Sequence, residues 1–203
     1  MGETKPIRVL MVTCEWPSED YPYQVPFLVR QVDFLRRAGV DIDLYFFRGS
    51  RKITNYLRAW FDVRKKLRNG SYDVVHAQWG QSAPVVLPTQ LPLVVTFRGG
   101  EGEGLIDING KTTPLGYVLR AIGYWISRRA DELVMVSSHM KKYFPERPFH
   151  VIPSGLDFSK FPLIPRDEAR SQLGLHPSKP LVLFVGNPED QWKRFALDRK
   201  SVV

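Results

Sequence analysis

Two hydrophobic patterns alternate along the chain. Continuous apolar runs at residues 7–13, 41–47, 73–77, 93–97, 133–137, 150–153 and 181–185 have the length and β-branched content of strands buried on both faces of a parallel sheet. Between them, apolar residues recur every three or four positions, as on helices. Pro26 opens the first such segment, with Leu28, Val32 and Leu35 on its inner face and Gly39 ending it. In the segment 51–68, Ile53, Tyr56, Leu57, Trp60, Val63 and Leu67 form a stripe expected to face a core. Thr113 and Pro114 have the character of an N-cap and first helical residue. They precede an expected inner face of Leu115, Val118, Leu119, Ile122, Trp125 and Ile126. A shorter segment, 166–173, ends at Gly174. This alternation predicts an α/β fold, a doubly wound Rossmann-like domain around a parallel sheet.

The pattern breaks once. Residues 153–165 carry prolines at 153, 162 and 165 and a glycine at 155, the composition of a connection between domains. The expected organisation is a first domain over 1–152, a connection with a short helix over 153–180, and a new α/β unit from 181 to 203. One strand and one helix cannot bury both their faces, so the second Rossmann-like domain is expected to be truncated.

Composition narrows the compartment and the partners. The chain is 43% hydrophobic and 25% charged, an ordinary globular balance. A single cysteine, Cys14, excludes an internal disulfide framework and suits a reducing compartment. The opening residues hold no signal-like apolar stretch, and no run reaches the roughly 20 apolar residues of a membrane span. A soluble, cytoplasmic protein is expected. Much of the net charge of +8 sits on Arg51, Lys52, Arg58, Arg64, Lys65, Lys66 and Arg68. Two readings of that run stay open. One is a solvated helix face. The other is attraction to an anionic acceptor or to anionic lipid, which would place the protein peripherally at the inner face of the plasma membrane. No base-reading motif accompanies the charge, so nucleic acid is not an expected partner.

Five segments occur in a specific order: RVLMVTCEWPSEDYPY, FLVRQVDFLRRAGVDIDLYFFRG, YDVVHAQWGQS, LVVTFRGGE and ADELVMVSSHMKKYF. They are followed by HVIPSGLDFSKFPLIPRDEARSQLGL and KPLVLFVGNPEDQWKRF. This ordered series resembles the N-terminal, acceptor-side domain of the family four retaining glycosyltransferases, which have the two-domain GT-B fold. The likeness is greatest to the subgroup that builds bacterial surface polysaccharides such as teichuronic acids. The last two segments resemble the interdomain connection and the start of the donor-binding domain. The resemblance implies transfer of a sugar from a nucleotide-sugar, such as a UDP- or GDP-sugar, to a hydroxyl of a glycan or lipid-linked acceptor. No cofactor or metal is implied, and the four histidines at 76, 139, 150 and 176 lack ligand spacing. The glutamate pair that the family carries in its second domain is not found here, so transfer by these residues alone is not expected. The alternative is a non-catalytic acceptor- or membrane-binding module completed by a partner. No catalytic residue is assigned.

In open α/β sheets ligands bind beyond the carboxyl ends of the strands, which directs attention to the loops at 14–26, 78–83, 98–104 and 137–139. Tyr23 and Gln24, with Tyr21, line an acceptor pocket in one reading and form an ordinary loop in the other. Val25 stands where many relatives have glycine. Trp79 offers a stacking face, and Gln78 and Gln81 offer amides to sugar hydroxyls. Arg98, with Gly99, Gly100 and Glu101, is expected at the acceptor side, with turns that leave backbone amides accessible. Relatives often have histidine at Arg98. An arginine there holds a phosphate or carboxylate but accepts no proton, and the competing reading is an ion pair with Glu101 or Glu103. His76 reads as a hydrogen-bonded strand residue or a site residue. Ser137 and Ser138 read as a helix cap, because no histidine–carboxylate pair can be placed beside them. The resemblance places Lys193 and Arg194, with Arg98, at the donor phosphates, against a reading of the first two as solvated helix charges.

Overall fold

The computed structural model describes residues 5–49, 52–105, 107 and 111–185. They divide into two compact units, one formed by residues up to 107 with 112–156 and one by 108–111 with 157 onward. The first unit holds a six-stranded, wholly parallel sheet: β1 Arg8–Thr13, β2 Asp41–Phe46, β3 Val74–Gln78, β4 Leu93–Phe97, β5 Glu132–Met135 and β6 His150–Val151. The strand order is β2-β1-β3-β4-β5-β6. The chain is therefore an α/β, Rossmann-like domain, as its alternation predicts.

The central strands β1, β3 and β4 are buried on both faces, which explains their continuous apolar runs. On β1, Leu10 and Val12 belong to one core and Met11 to the other, as the two-residue period of a strand requires. The helix α1, Pro26–Arg37, covers the Met11 face through Leu28 and Val32. The helices α2, Ile53–Asn69, and α4, Pro114–Ser127, cover the Leu10 face. A four-residue turn of helix, α3, spans Gly100–Glu103. Thr113 caps α4 as expected, its hydroxyl accepting from the Gly116 amide at 3.0 Å. No helix among the described residues is long and apolar enough to cross a membrane.

Two expected inner faces are corrected. On α2, Ala59 and Val63 are buried and Tyr56, Trp60 and Leu67 pack against them, whereas Ile53 and Leu57 are exposed. On α4 the buried residues are Gly116, Gly123, Ile126 and Ser127, and Leu115, Val118 and Trp125 face outward. The reason is close approach. A Cβ on Gly116 would sit 2.4 Å from the Leu105 carbonyl oxygen, and one on Gly123 would sit 2.7 Å from that of Glu101. The helix therefore lies on the 99–105 loop through its glycines, with Leu115, Val118 and Trp125 rotated away while Ile122 and Ile126 meet the core. Gly116→Ala, which improves helix propensity by about 1 kcal/mol, is expected instead to destabilise the domain by about 2 kcal/mol, measured by urea unfolding.

Val25 precedes α1 with φ 44° and ψ 50°, a left-handed conformation that a β-branched residue resists. Glycine adopts it freely. Val25→Gly is expected to be more stable than Val25→Ala by about 1 kcal/mol, the reverse of their order in a helix. Equal unfolding midpoints for the two variants would count against strain at this position.

In the second unit α5 spans Arg166–Gln172, and Gly174 at φ 64° ends it. Arg170 ties down the following turn by donating to the carbonyls of His176 and Lys179. No strand is assigned over the described residues 181–185, where one was expected, and Leu181, Val182, Leu183 and Val185 are exposed. An apolar run becomes a strand only where another strand takes its amides and carbonyls.

Candidate functional site

The strand order fixes where a ligand can sit. From β1 the chain steps to β2 on one side, then returns past β1 to β3 on the other. The loops leaving β1 and β3 diverge at this switch point, the place where open α/β sheets bind ligands. The loop after β4 lies next to it.

Arg98 emerges there, immediately after β4. Its guanidinium carbon lies 4.5 Å from the ring centre of Phe27 and 5.3 Å from that of Trp79. The two rings meet edge to face at 6.1 Å. One terminal nitrogen donates to Gln31 Oε1 at 2.8 Å and Gln78 Oε1 at 2.9 Å, and the other to Ser154 Oγ at 3.2 Å. The Nε–H is buried without a partner. All three acceptors are neutral, and among the described residues no carboxylate forms an ion pair with Arg98. The ion pair with Glu101 or Glu103 is thus not formed. Burial pulls the Arg98 pKa down, yet a guanidinium stays charged in proteins. The Glu101 charge nearby opposes that fall, and a guanidinium whose hydrogen-bond acceptors are all neutral keeps the chemistry to pair with a phosphate or carboxylate.

A relay stands behind it. Because the Gln78 oxygen accepts from Arg98, the Gln78 amide nitrogen points at His76 Nε2, 3.2 Å away. An amide nitrogen only donates, so His76 Nε2 is the acceptor and its proton sits on Nδ1. Thr96 Oγ1 is 2.8 Å from the same ring nitrogen. Burial and the charge of Arg98 lower the His76 pKa to about 4. The imidazole is neutral at pH 7 and braces Gln78. Its folded pKa lies below the ordinary 6.5, so the unfolded chain binds more protons between these values. Stability is full above about pH 6.5 and falls as the pH drops toward 4, by about 3 kcal/mol at most. The difference between wild type and His76→Gln in unfolding free energy against pH isolates this contribution.

Glu101 organises the loop. Its carboxylate is buried and accepts from the backbone amides of Gly80 at 3.0 Å, Arg98 at 3.1 Å and Gly99 at 3.1 Å. Burial raises its pKa and these amides oppose the rise. The expectation of accessible amides in this loop is corrected: those of Arg98 and Gly99 are taken by the chain's own carboxylate, since a buried carboxylate must find donors. What remains open is space. Nothing lies within 4 Å of a Cβ built on Gly99 or Gly100, and Gly99, at φ 130°, tolerates no other residue without strain.

The other expected residues are scattered along the edge. Trp79 adopts φ 66° and ψ 143°, a strained conformation for an aromatic residue, held by its amide donating to the Thr96 carbonyl at 2.9 Å. Gln81 turns to Cys14, donating to Sγ at 3.4 Å. Tyr23 is 91% exposed, and the Gln24 amide donates to the Tyr21 carbonyl at 3.2 Å. Neither Tyr23 nor Gln24 has a described contact with the Arg98 cluster. Lys193 and Arg194 lie outside the described residues. Ser137 does not cap through its side chain. A histidine–carboxylate pair does stand beside it: His139 Nδ1 is 2.9 Å from Ser137 Oγ, and His139 Nε2 is 3.5 Å from Glu103 Oε1. His139 is exposed, and the group lies at the rim of the edge.

Sequence reasoning missed Phe27, Gln31 and Ser154. Phe27 and Gln31 are one helical turn apart at the start of α1, which was the available signal. It also missed Glu15, two residues beyond β1. The Glu15 carboxylate is half-buried and has no described hydrogen-bond or ion-pair partner, and burial together with the charge of Glu101 raises its pKa.

The profile of Glycosyltransferase Family 4 matches residues 4–160. Comparison with curated proteins gives no match. The matched span runs through all six strands and every residue of the Arg98 cluster, and it exceeds half of the 203 residues. With a parallel α/β sheet whose carboxyl edge presents a cation, an aromatic face and amides, the chain belongs to glycosyltransferase family 4.

Proposed function

We propose that the chain contributes the acceptor side of a retaining glycosyltransferase of the GT-B type, acting in polysaccharide or glycolipid synthesis. In the transfer, the bond from the sugar's anomeric carbon to the diphosphate of the nucleotide donor breaks. A bond from that carbon to the acceptor hydroxyl oxygen forms on the same face, and the hydroxyl proton passes to the departing diphosphate. The observation that carries this reading is Arg98, a half-buried guanidinium at the switch point with only neutral partners. It suits a phosphate, of donor or acceptor, and Trp79 suits the apolar face of a sugar ring. Lys193 and Arg194 are proposed to meet the donor phosphates from the segment beyond residue 185. The subgroup that makes teichuronic acid-like polymers is the closest functional setting by sequence resemblance. The test is isothermal titration with UDP, GDP and their sugars, alone and with pyrophosphate as competitor. Saturable binding displaced by pyrophosphate is expected, and no binding at millimolar ligand would overturn the reading.

A further inference from the structure

Two glycines of the loop after β4 have no part in the Arg98 site, and each seats a side chain from another element. A Cβ on Gly102 would lie 2.5 Å from the Tyr143 ring, and one on Gly104 would lie 3.2 Å from Cδ of Arg120. Tyr143 belongs to the short 3₁₀ helix Ser138–Tyr143 that follows β5, and Arg120 to α4. Together they wall a cavity of about 290 Å³, lined by Gly102, Arg120, Ala121, Tyr124, Tyr143 and Phe144, with Glu101. None of the side chains that hold the Arg98 guanidinium lines it. Its walls include the segments that follow β4 and β5, at the ligand end of the sheet. The volume is at the lower end for small-molecule sites and suits a single sugar ring.

The lining groups define the ligand. Arg120 forms no hydrogen bond or ion pair with a described residue, so its N–H donors are open to an anion. The Tyr124 hydroxyl accepts from Arg128 at 3.2 Å, which leaves its own proton to donate. The Tyr143 hydroxyl donates to Glu103 at 3.2 Å, which leaves a lone pair to accept. Lys142 lies 4.7 Å from the Tyr143 ring centre and adds positive charge. Two acidic groups stand near, and both are engaged. Three backbone amides hold the Glu101 carboxylate, and Tyr143 and His139 hold that of Glu103. Phenol rings suit the apolar face of a pyranose and their oxygens suit its hydroxyls. A guanidinium beside them suits a carboxylate carried on the same ring.

We propose that this cavity binds an acidic sugar unit of the acceptor, a pyranose bearing a carboxylate. Its role in transfer rests on the sugar-transfer reading, whereas its binding is measured apart from Arg98. The test is amide NMR of the isotope-labelled protein titrated with glucuronate, glucose and acetate, with pyrophosphate titrated in parallel. Saturable shifts at Gly102, Gly104 and Arg120 are expected with glucuronate, at an affinity at least about tenfold above that for glucose or acetate. Arg120→Gln is expected to weaken glucuronate binding about tenfold and to keep the remaining spectrum. Arg58→Gln, which removes an exposed charge on α2, is expected to leave binding intact. Shifts confined to Trp79 and Gly99 would overturn the proposal, as would acetate or glucose binding as well as glucuronate, or wild-type affinity in Arg120→Gln. Pyrophosphate binding without glucuronate binding overturns this inference alone, and binding of neither overturns the sugar-transfer reading with it. Glucuronate binding without pyrophosphate binding upholds the site and removes its part in transfer.

Discussion

Glu101→Gln is expected to lower the unfolding free energy by about 2 kcal/mol. The carboxylate receives three backbone amides with its two oxygens, two of them on Oε2. In the glutamine one of those oxygens becomes an NH₂, which faces donors and accepts nothing. The favoured orientation keeps the amide oxygen at the Oε2 position for the amides of Arg98 and Gly99 and sets the NH₂ against the Gly80 amide, which loses its acceptor inside a site with little access to water. Each buried orphan donor costs about 1–3 kcal/mol. The loop from 98 to 104 is also the platform on which Gly123 of α4 rests, so the loss spreads into the helix contact. Urea unfolding of the purified variant measures it. A loss below about 1 kcal/mol would return Glu101 to the open loop surface and to ligand contact.

Arg98→Ala is expected to weaken binding of pyrophosphate or a nucleoside diphosphate by about 100-fold. The guanidinium is oriented before any ligand arrives: Phe27 and Trp79 flank it, and Gln31, Gln78 and Ser154 hold its terminal nitrogens. Such preorganisation saves the ordering cost that a free side chain would meet on binding. Arg98→Lys keeps the charge but loses the planar fork, so it is expected to recover less than a tenth of the lost affinity. Titration calorimetry separates the two variants, and Trp79 fluorescence gives a second readout because its ring touches the guanidinium. If alanine and wild type bind alike, Arg98 is a packing residue and not an anion partner.

Much of this site was legible before the fold was known. An arginine directly after a buried apolar run must emerge at the end of a strand, and a tryptophan just past the next strand over must stand near it. What escaped were the partners. Gln31 is 67 residues from Arg98 and Ser154 is 56 away, and neither position carries a local signature. The amide cradle was misjudged for the same reason. GGEG shows flexible turns, but only packing reveals that its own glutamate folds back onto the amides. The expected face of α2 held for Tyr56, Trp60, Val63 and Leu67 and failed only at Ile53 and Leu57, whereas that of α4 was misjudged differently. Hydrophobic periodicity finds the most apolar face, and here the buried face is chosen by glycines that allow two backbones to approach.

The sequence by itself determined the class of the domain, the order of its elements, the Thr113 cap and the emergence of Arg98 at the ligand edge. These depend on periodicities of two and 3.6 residues and on single capping residues, which act over a few positions of chain. The tertiary structure alone decided which side of α4 is buried, that Glu101 fills the loop's amides, that Gln78 fixes the His76 tautomer, and that Val25 takes a left-handed backbone. Each of these is set by steric fit or by the pairing of donors and acceptors between distant segments. Such pairings exist only once the strands have been laid side by side.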